Sequence, residues 1–219
     1  MLNKQKGNMY GFVTHTLNYI KGKCEHNCDY CYMKVFPQAE LRLDEKELNT
    51  DLGMGKIIFV GSSTDMFAEN VPSAWIIRVL QKCREYNYNK YLFQSKNPKR
   101  MIKFLDDFPE NTILATTIET NRPGFNYNAP PVEERKLYIQ QDKFPVMITI
   151  EPVIDFDLTI LFSWLRDIRP KYVAIGADSK GHNLPEPSQE KIDALIKELG
   201  NLTEVKIKPN LKRLVEEKR

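Results

Sequence analysis

Three of the four cysteines in the chain fall within eight residues, at Cys24, Cys28 and Cys31. With the spacing C-x3-C-x2-C, three thiolates can bind one face of an iron–sulfur cube, which leaves one of its four irons open to another donor. A structural zinc site normally takes a fourth protein ligand, and His26, inside the first interval, could serve as that ligand. The spacing therefore predicts a metal centre. An iron–sulfur cluster is favoured, because His26 could complete a zinc site only under strain.

The rest of the composition is that of an ordinary globular chain. The 219 residues are 42% hydrophobic and 28% charged with a net charge of +3, so the length fits one domain and the charge does not by itself indicate a nucleic-acid partner. One cysteine cluster and a lone Cys83 do not form a disulfide framework, so we expect a reducing, cytoplasmic location. No apolar run is long enough to span a bilayer and no secretory signal is present, so no membrane association is expected.

Apolar runs of strand length alternate with helical patterns along the chain. The runs at 57–60 and 173–175 are almost continuously apolar, which is typical of strands covered on both faces. The predicted strands are 11–17, 56–61, 90–95, 112–119, 146–151, 172–176 and 205–208. The predicted helices are 44–49, 73–86, 98–106, 132–141, 158–166 and 188–199. This alternation predicts an α/β fold with a parallel sheet built from six βα units.

The pattern also predicts how the chain is organised. We expect one domain over residues 1–219, with a core of about 11–208, a cysteine loop at 22–34 and a short C-terminal helix at 209–219. The longest irregular segments are 32–42, 120–131 and 178–187, and each follows a strand end or the cysteine loop. In barrel-like α/β folds the site lies at this edge of the sheet, so we expect these loops to surround it.

The cysteine motif, with an aromatic residue before its third cysteine, resembles that of the radical S-adenosylmethionine (SAM) superfamily. The resemblance implies a partial (β/α)6 barrel whose first βα loop holds a [4Fe–4S] cluster, with SAM bound to the open iron through its amino and carboxylate groups. It also implies that reduction cleaves SAM to a 5′-deoxyadenosyl radical, and therefore that a one-electron reductant such as flavodoxin or ferredoxin is a partner.

Later segments resemble the spore photoproduct lyase-like group of that superfamily. The segments that carry this resemblance are 28–32, 61–65, 95–98, 129–135 and 150–153. Each of the later segments is a weak signal alone, but their order and their positions at predicted strand ends agree with the group.

The resemblance implies a set of SAM contacts. Tyr30 would lie against the adenine, Tyr32 would pack beside the cluster, and Lys96 would pair with the SAM carboxylate. The turn after the second predicted strand has hydroxyl and carboxylate groups that can accept hydrogen bonds from the SAM ammonium. The residues of this turn are Ser62, Ser63, Thr64 and Asp65. The alternatives are that the tyrosines cover apolar surface, that the turn only caps a helix, and that Lys96 is solvated.

Four further residues lie near the ends of later strands. Thr117 and Glu119 would contact the ribose or the methionyl part of SAM, and Glu151 and Asp178 would contact the nucleoside or the substrate. Glu151 or Asp178 could instead cap the helix that follows it.

The remaining cysteine and one serine limit the chemistry. Cys83 lies in an apolar helical pattern, so we expect a buried thiol, and one spare cysteine cannot hold a second cluster. Ser62 stands where the resembled group has a hydrogen-donating cysteine, so repair of a photoproduct by that route is not expected.

The sequence therefore predicts a radical SAM enzyme with one cluster. With no separate C-terminal domain to cover the site, we expect a large substrate, either a nucleic acid or a polypeptide. Two alternatives stay open: a non-enzymatic zinc-binding module that uses the same cysteines, and a protein that binds SAM without turning it over.

Overall fold

The computed structural model describes residues 2–37, 39–124 and 128–215, in which ten strands and seven α-helices form. The strands are β1 Asn3–Lys4, β2 His15–Leu17, β3 Ile20–Lys21, β4 Arg42–Leu43, β5 Ile57–Val60, β6 Lys90–Gln94, β7 Thr112–Thr117, β8 Val146–Ile150, β9 Tyr172–Ile175 and β10 Glu204–Ile207. The helices are α1 Glu45–Leu48, α2 Ser73–Arg84, α3 Pro98–Met101, α4 Val132–Ile139, α5 Leu158–Ile168, α6 Gln189–Gly200 and α7 Lys212–Val215. Three 3-10 turns lie at Tyr32–Val35, Ile102–Phe104 and Pro209–Leu211.

Eight of the strands form one sheet in the order β1-β2-β5-β6-β7-β8-β9-β10. From β2 to β10 every pairing is parallel, and only β1 is antiparallel. The carboxyl ends of seven strands therefore meet at one edge, where α/β folds place their sites. This confirms the predicted α/β fold of the partial-barrel type.

The strands alternate between two packed faces. On β5, Ile58 and Val60 join the large core against the helices, whereas Phe59 points to the inner face of the sheet. On β6, Tyr91 and Phe93 face the helices and Leu92 faces inward. Burying each large apolar side chain contributes about 1.5–3 kcal/mol, which explains why the near-continuous apolar runs form central strands.

The other two strands form a separate antiparallel pair that the sequence did not predict. Ile20 pairs with Leu43 and Lys21 pairs with Arg42, so β3 and β4 close the base of the segment 22–41. This segment contains all three clustered cysteines.

Several element bounds differ from those predicted. The strand expected at 11–17 forms only at His15–Leu17, because the chain turns just before it, where the Val13 amide donates to the Tyr10 carbonyl at 2.9 Å. The helix expected at 98–106 is α-helical at Pro98–Met101 and continues as a 3-10 turn at Ile102–Phe104.

Of the C-terminal helix expected at 209–219, the structure describes a 3-10 turn followed by α7, while 216–219 lie outside the described residues. Among the helices described, none has the length and apolar character needed to cross a bilayer.

Candidate functional site

The cysteine loop has a tightly held base. The amide of Lys23 donates to the Ala39 carbonyl at 2.9 Å, and Thr64 Oγ1 donates to the Gly22 carbonyl, also at 2.9 Å. Gly22 has φ +113°, and a Cβ there would lie 2.3 Å from the Glu40 carbonyl oxygen. Only glycine fits this close approach.

The loop lies over a large cavity at the carboxyl edge of the parallel sheet. The cavity measures about 1440 Å³, and Cys24, Cys28 and Cys31 all line it. Predicted site residues share this lining, and they are Tyr30, Tyr32, Ser62, Ser63, Thr64, Asp65, Lys96, Thr117, Glu151 and Asp178. The structure therefore gathers residues from the ends of β5, β6, β7, β8 and β9 around the cysteines.

Asp65 ties the cysteine loop to the strand ends. Its Oδ2 accepts hydrogen bonds from His26 Nε2 at 2.8 Å, from Ser95 Oγ at 2.9 Å and from the Lys96 amide at 2.8 Å. Oδ1 accepts from the Phe67 amide at 2.9 Å. Burial opposes ionisation of Asp65, but His26 and these amides outweigh it and lower the pKa of the carboxyl group. Asp65 is therefore a buried anion that anchors the loop.

A second buried carboxylate, Glu119, lies behind the cavity wall. It is fully buried and contacts the Lys96 ammonium and the Tyr30 hydroxyl. Arg135 Nη1 lies 3.0 Å from Glu119 Oε2, and it also donates to the Thr117 carbonyl at 3.0 Å. Burial opposes ionisation of Glu119, but Lys96 and Arg135 outweigh it and lower its pKa to about 2. Unlike the other predicted contacts, Glu119 does not line the cavity.

The turn after β5 is held by Asn18. Asn18 Oδ1 accepts from the Ser63 amide at 3.0 Å, and its Nδ2 donates to Ser62 Oγ at 3.2 Å. The Tyr32 hydroxyl donates to the Ser62 carbonyl at 2.8 Å, which joins the turn to the residue after Cys31. The serines therefore face the cavity from a fixed backbone.

Thr117 belongs to a chain of polar groups on the inner face. Gln94 Nε2 donates to Thr117 Oγ1 at 3.1 Å, and Thr149 Oγ1 lies 3.0 Å from the same oxygen. The Tyr10 hydroxyl donates to Gln94 Oε1 at 2.7 Å. These bonds satisfy polar groups that would otherwise be costly to bury.

A further group of polar side chains at the cavity is organised around Glu151. Its Oε1 accepts from Asn8 Nδ2 at 2.9 Å and from Asn210 Nδ2 at 3.1 Å, and its Oε2 lies 2.5 Å from Lys208 Nζ. The Lys208 ammonium also lies 4.6 Å from the centre of the Tyr10 ring. Glu151 thus joins both ends of the chain to β8.

Asp178 holds the loop that follows β9, and it also lines the cavity. Its Oδ1 lies 2.7 Å from His182 Nδ1, and it accepts from the Lys180 amide at 3.1 Å. Burial opposes ionisation of Asp178, but the bonds from His182 outweigh it and lower the pKa of the carboxyl group.

Sequence reasoning missed five residues that hold this site together: Asn8, Asn18, Arg135, Lys208 and Asn210. Arg135 is the last residue of the segment 129–135, and the resemblance of this segment to the lyase-like group is the signal that could have found it. The other four lie outside the segments that carried it.

A model of a protein family of unknown function, DUF5131, matches residues 11–154, about two thirds of the chain. The chain belongs to this family. No curated protein matches it.

Solved structures of spore photoproduct lyase, a radical SAM enzyme, match the fold. One, a variant with bound AdoMet and the dinucleoside spore photoproduct, matches with a TM-score of 0.66 at 10% identity, covering 94% of this chain and 80% of that one. Another, complexed with the dinucleoside spore photoproduct, has a TM-score of 0.65 at 10% identity, and the match covers 93% of this chain and 80% of that one. A third, a cysteine variant with the dinucleoside spore photoproduct, has a TM-score of 0.64 at 9% identity, and the match covers 94% of this chain and 80% of that one. At this identity the likeness shows that the fold is shared.

The thiols of the cysteine loop are soft sulfur donors, a type that suits an iron–sulfur cluster. Among the described residues, no three His, Cys, Asp or Glu side chains are grouped to hold one metal ion, as tetrahedral zinc requires. The ligands of a cluster bind different irons, so they need not converge on one point. His26, the only candidate for a fourth zinc ligand that the sequence offered, instead bonds to Asp65. The zinc interpretation is therefore not favoured.

Burial holds two of the clustered thiols, Cys24 and Cys28, in the protonated form. Burial raises the pKa of Cys24 to about 12, and nearby Asp65 adds to this effect. Burial also raises the pKa of Cys28. A metal bound by these thiols would displace their protons, because the thiolate is the form that binds metal. Cys83 is fully buried in α2, which confirms the prediction of a buried thiol.

Proposed function

We propose that this chain is a radical SAM enzyme with a single [4Fe–4S] cluster held by Cys24, Cys28 and Cys31. The observation that carries the proposal is that these three thiols, from one loop, line the same strand-end cavity as Lys96 and the turn after β5. The cavity is large enough for a nucleoside cofactor and part of a substrate, since small-molecule sites measure about 300–1,000 Å³.

The protein groups around the cavity have distinct roles in this proposal. Lys96 pairs with the carboxylate of SAM, and Ser63 and Thr64 accept hydrogen bonds from its ammonium. Tyr30, between two cluster ligands, lies against the adenine, and Thr117 bonds the ribose. Glu151 contacts the nucleoside or the substrate.

Cys24, Cys28 and Cys31 would hold the cluster, which when bound and reduced would supply the electron for reductive cleavage of SAM. The electron comes from a one-electron reductant such as flavodoxin or ferredoxin. Because the metal-binding thiols require a reducing environment, we place the protein in the cytoplasm.

The substrate that we propose is macromolecular, with a nucleic acid favoured over a polypeptide. Eight Lys or Arg residues line the cavity against four Asp or Glu residues, although the whole chain has a net charge of only +3. A basic cavity favours a phosphate-bearing substrate. A structural neighbour contains a dinucleoside photoproduct, which agrees with this class. Ser62 lines the cavity where the resembled group has a hydrogen-donating cysteine, so the hydrogen transfer must differ from that route.

Anaerobic purification tests the cluster. We expect brown protein with about four irons and four sulfides per chain, and 5′-deoxyadenosine when dithionite and SAM are added. Separate alanine substitutions of Cys24, Cys28 and Cys31 should each abolish the product, whereas Cys83→Ala should retain it. Colourless protein that contains one zinc would overturn the proposal. A cluster without 5′-deoxyadenosine would leave a SAM-binding protein rather than an enzyme.

Crosslinking to single-stranded DNA and RNA, with a polypeptide panel alongside, tests the substrate class. We expect nucleic-acid binding that weakens steeply with salt, because phosphate contacts release counterions. Turnover of a free nucleotide without binding to any macromolecule would exclude a macromolecular substrate.

A further inference from the structure

Two cations share the buried carboxylate of Glu119. The Lys96 ammonium contacts it from the cavity side, and Arg135 Nη1 lies 3.1 Å from Oε1 and 3.0 Å from Oε2 on the other side. The side chains of Glu119 and Arg135 are both 0% exposed, whereas that of Lys96 is 15% exposed and lines the cavity. Arg135 itself does not line the cavity.

The three groups together carry one net positive charge, and only Lys96 presents charge to the cavity. A carboxylate paired with Lys96 alone would cancel this charge in a buried place where charges interact strongly. Because Arg135 pairs with the same carboxylate, Lys96, Glu119 and Arg135 together keep a positive charge, which Lys96 presents at the cavity wall. The neighbouring anion, Asp65, accepts its bonds from His26, Ser95 and backbone amides.

The choice of arginine follows from its geometry. Arg135 Nε donates to the Pro130 carbonyl at 2.7 Å while Nη1 donates to the Thr117 carbonyl at 3.0 Å. This fork fixes the guanidinium between α4 and the end of β7, so its charge stays beside Glu119.

We propose that Arg135 is a positioning residue that neutralises Glu119, so that the Lys96 ammonium remains available to bind the carboxylate of a ligand in the cavity. This inference rests on the proposed function, in which that ligand is SAM. It assigns to Arg135 a role in cofactor affinity although Arg135 never touches the cofactor.

Calorimetric titration of the reconstituted anaerobic protein with SAM tests the inference. Arg135→Gln should weaken SAM binding about tenfold or more, the scale of one charge-assisted hydrogen bond, with iron content unchanged. The double substitution Glu119→Gln with Arg135→Gln restores the net charge and should recover the affinity to within about threefold. Lys96→Met should lose the affinity in either background. The electron paramagnetic resonance change that SAM causes in the reduced protein should follow the same order.

A merely structural role predicts that SAM affinity falls with the free energy of unfolding, because a buried charge that loses one partner destabilises its surroundings. The charge argument predicts instead that Glu119→Gln alone, which destabilises the fold but keeps both cations, does not weaken SAM binding. The inference is overturned if Arg135→Gln binds SAM like the unmodified chain, or if the double variant is no better than Arg135→Gln. Arg135→Lys keeps the charge, so its SAM affinity should stay within about threefold of that of the unmodified chain. This variant provides a second test if Arg135→Gln fails to fold.

A cofactor-free measurement separates this inference from the proposed function. Nuclear magnetic resonance of ¹⁵N-lysine-labelled metal-free protein, titrated with acetate at fixed pH, reports carboxylate binding at the Lys96 ammonium directly. Arg135→Gln should weaken the binding of acetate, and the double variant should recover it, whether or not the unmodified chain binds SAM. An unmodified chain without SAM binding overturns the proposed function, whereas unchanged acetate binding in Arg135→Gln overturns the charge argument.

Discussion

The imidazole Nε2 of His26 lies 2.8 Å from Oδ2 of Asp65, and the two side chains are 5% and 10% exposed. This contact joins the middle of the cysteine loop to the end of β5. It also occupies the histidine that the sequence offers as the fourth ligand of a zinc site. His26, which the sequence offers as a zinc ligand, instead fastens the cysteine loop to Asp65 in the structure.

His26→Ala should therefore lower stability without removing metal. Losing a donor to a buried carboxylate costs about 1.5–3 kcal/mol, and we expect that decrease in the free energy of unfolding by urea titration. Iron per chain after anaerobic reconstitution should not change. His182→Ala is the matched control, because His182 makes a similar contact to Asp178 at 2.7 Å but lies outside the cysteine loop. A His26→Ala protein that folds normally and cannot hold iron would make His26 a ligand instead.

The low pKa of Glu119 predicts a specific acid response. Its folded-state pKa of about 2 lies below the ordinary value of 4.5, so ionised Glu119 stabilises the fold fully above about pH 4.5. That contribution declines as the pH falls from about 4.5 towards about 2, where the carboxyl group is protonated in the folded state as well. Denaturant titrations of the unmodified chain and Glu119→Gln should give a constant difference between pH 7 and pH 5.5, and a smaller difference at pH 3. A difference that is equal at pH 7 and pH 3 would contradict the charged state of Glu119.

Gly176 leaves room for the side chains of Glu151 and Asn210. A Cβ at this position would lie 2.7 Å from Glu151 Oε1 and 2.9 Å from Asn210 Oδ1. Gly176→Ala should therefore displace Glu151 and cost about 1–3 kcal/mol by overpacking. Gly200→Ala is the control, because a Cβ there meets no atom within 4 Å, and the substitution should stabilise α6 by about 0.5–1 kcal/mol. Equal melting temperatures for the two variants would argue against this packing.

Cys83 should behave unlike the other three cysteines. It is fully buried in α2, and its burial raises the pKa of the thiol. Alkylation of the folded, metal-free chain should modify Cys31 well before Cys83, as measured by peptide mass spectrometry. Cys83→Ala should cost about 1–2 kcal/mol through a small core cavity and leave iron content unchanged. Loss of iron in that variant at normal stability would mean that the fourth cysteine belongs to the metal centre.

The central strands could be predicted because their physics is local. Ile57–Val60 and Tyr172–Ile175 are short apolar runs, and such runs favour strands that are buried on both faces. Their parallel pairing followed from the helices between them. The pair β3 and β4 could not be predicted, since strands of two residues are too short to show a period of two.

The site was predictable where a residue lies at a strand end or inside the cysteine motif. Lys96 and Thr117 line the cavity as expected. Arg135 was not foreseen, because arginine is ordinarily exposed and its burial depends on Glu119, a partner that only the fold brings near. Asn8 and Asn210 approach Glu151 from opposite ends of the chain, and no local pattern encodes such a meeting.

The antiparallel pairing of Ile20 with Leu43 and of Lys21 with Arg42 separates the cysteine segment from the barrel wall. The segment is also tied to the strand ends through His26 and Tyr32, but the eight-stranded sheet is built without it. In the proposed enzyme, we therefore expect oxidative loss of the cluster to loosen this segment and leave the sheet intact, so that a damaged molecule is reloaded with iron and sulfide instead of being degraded and made anew.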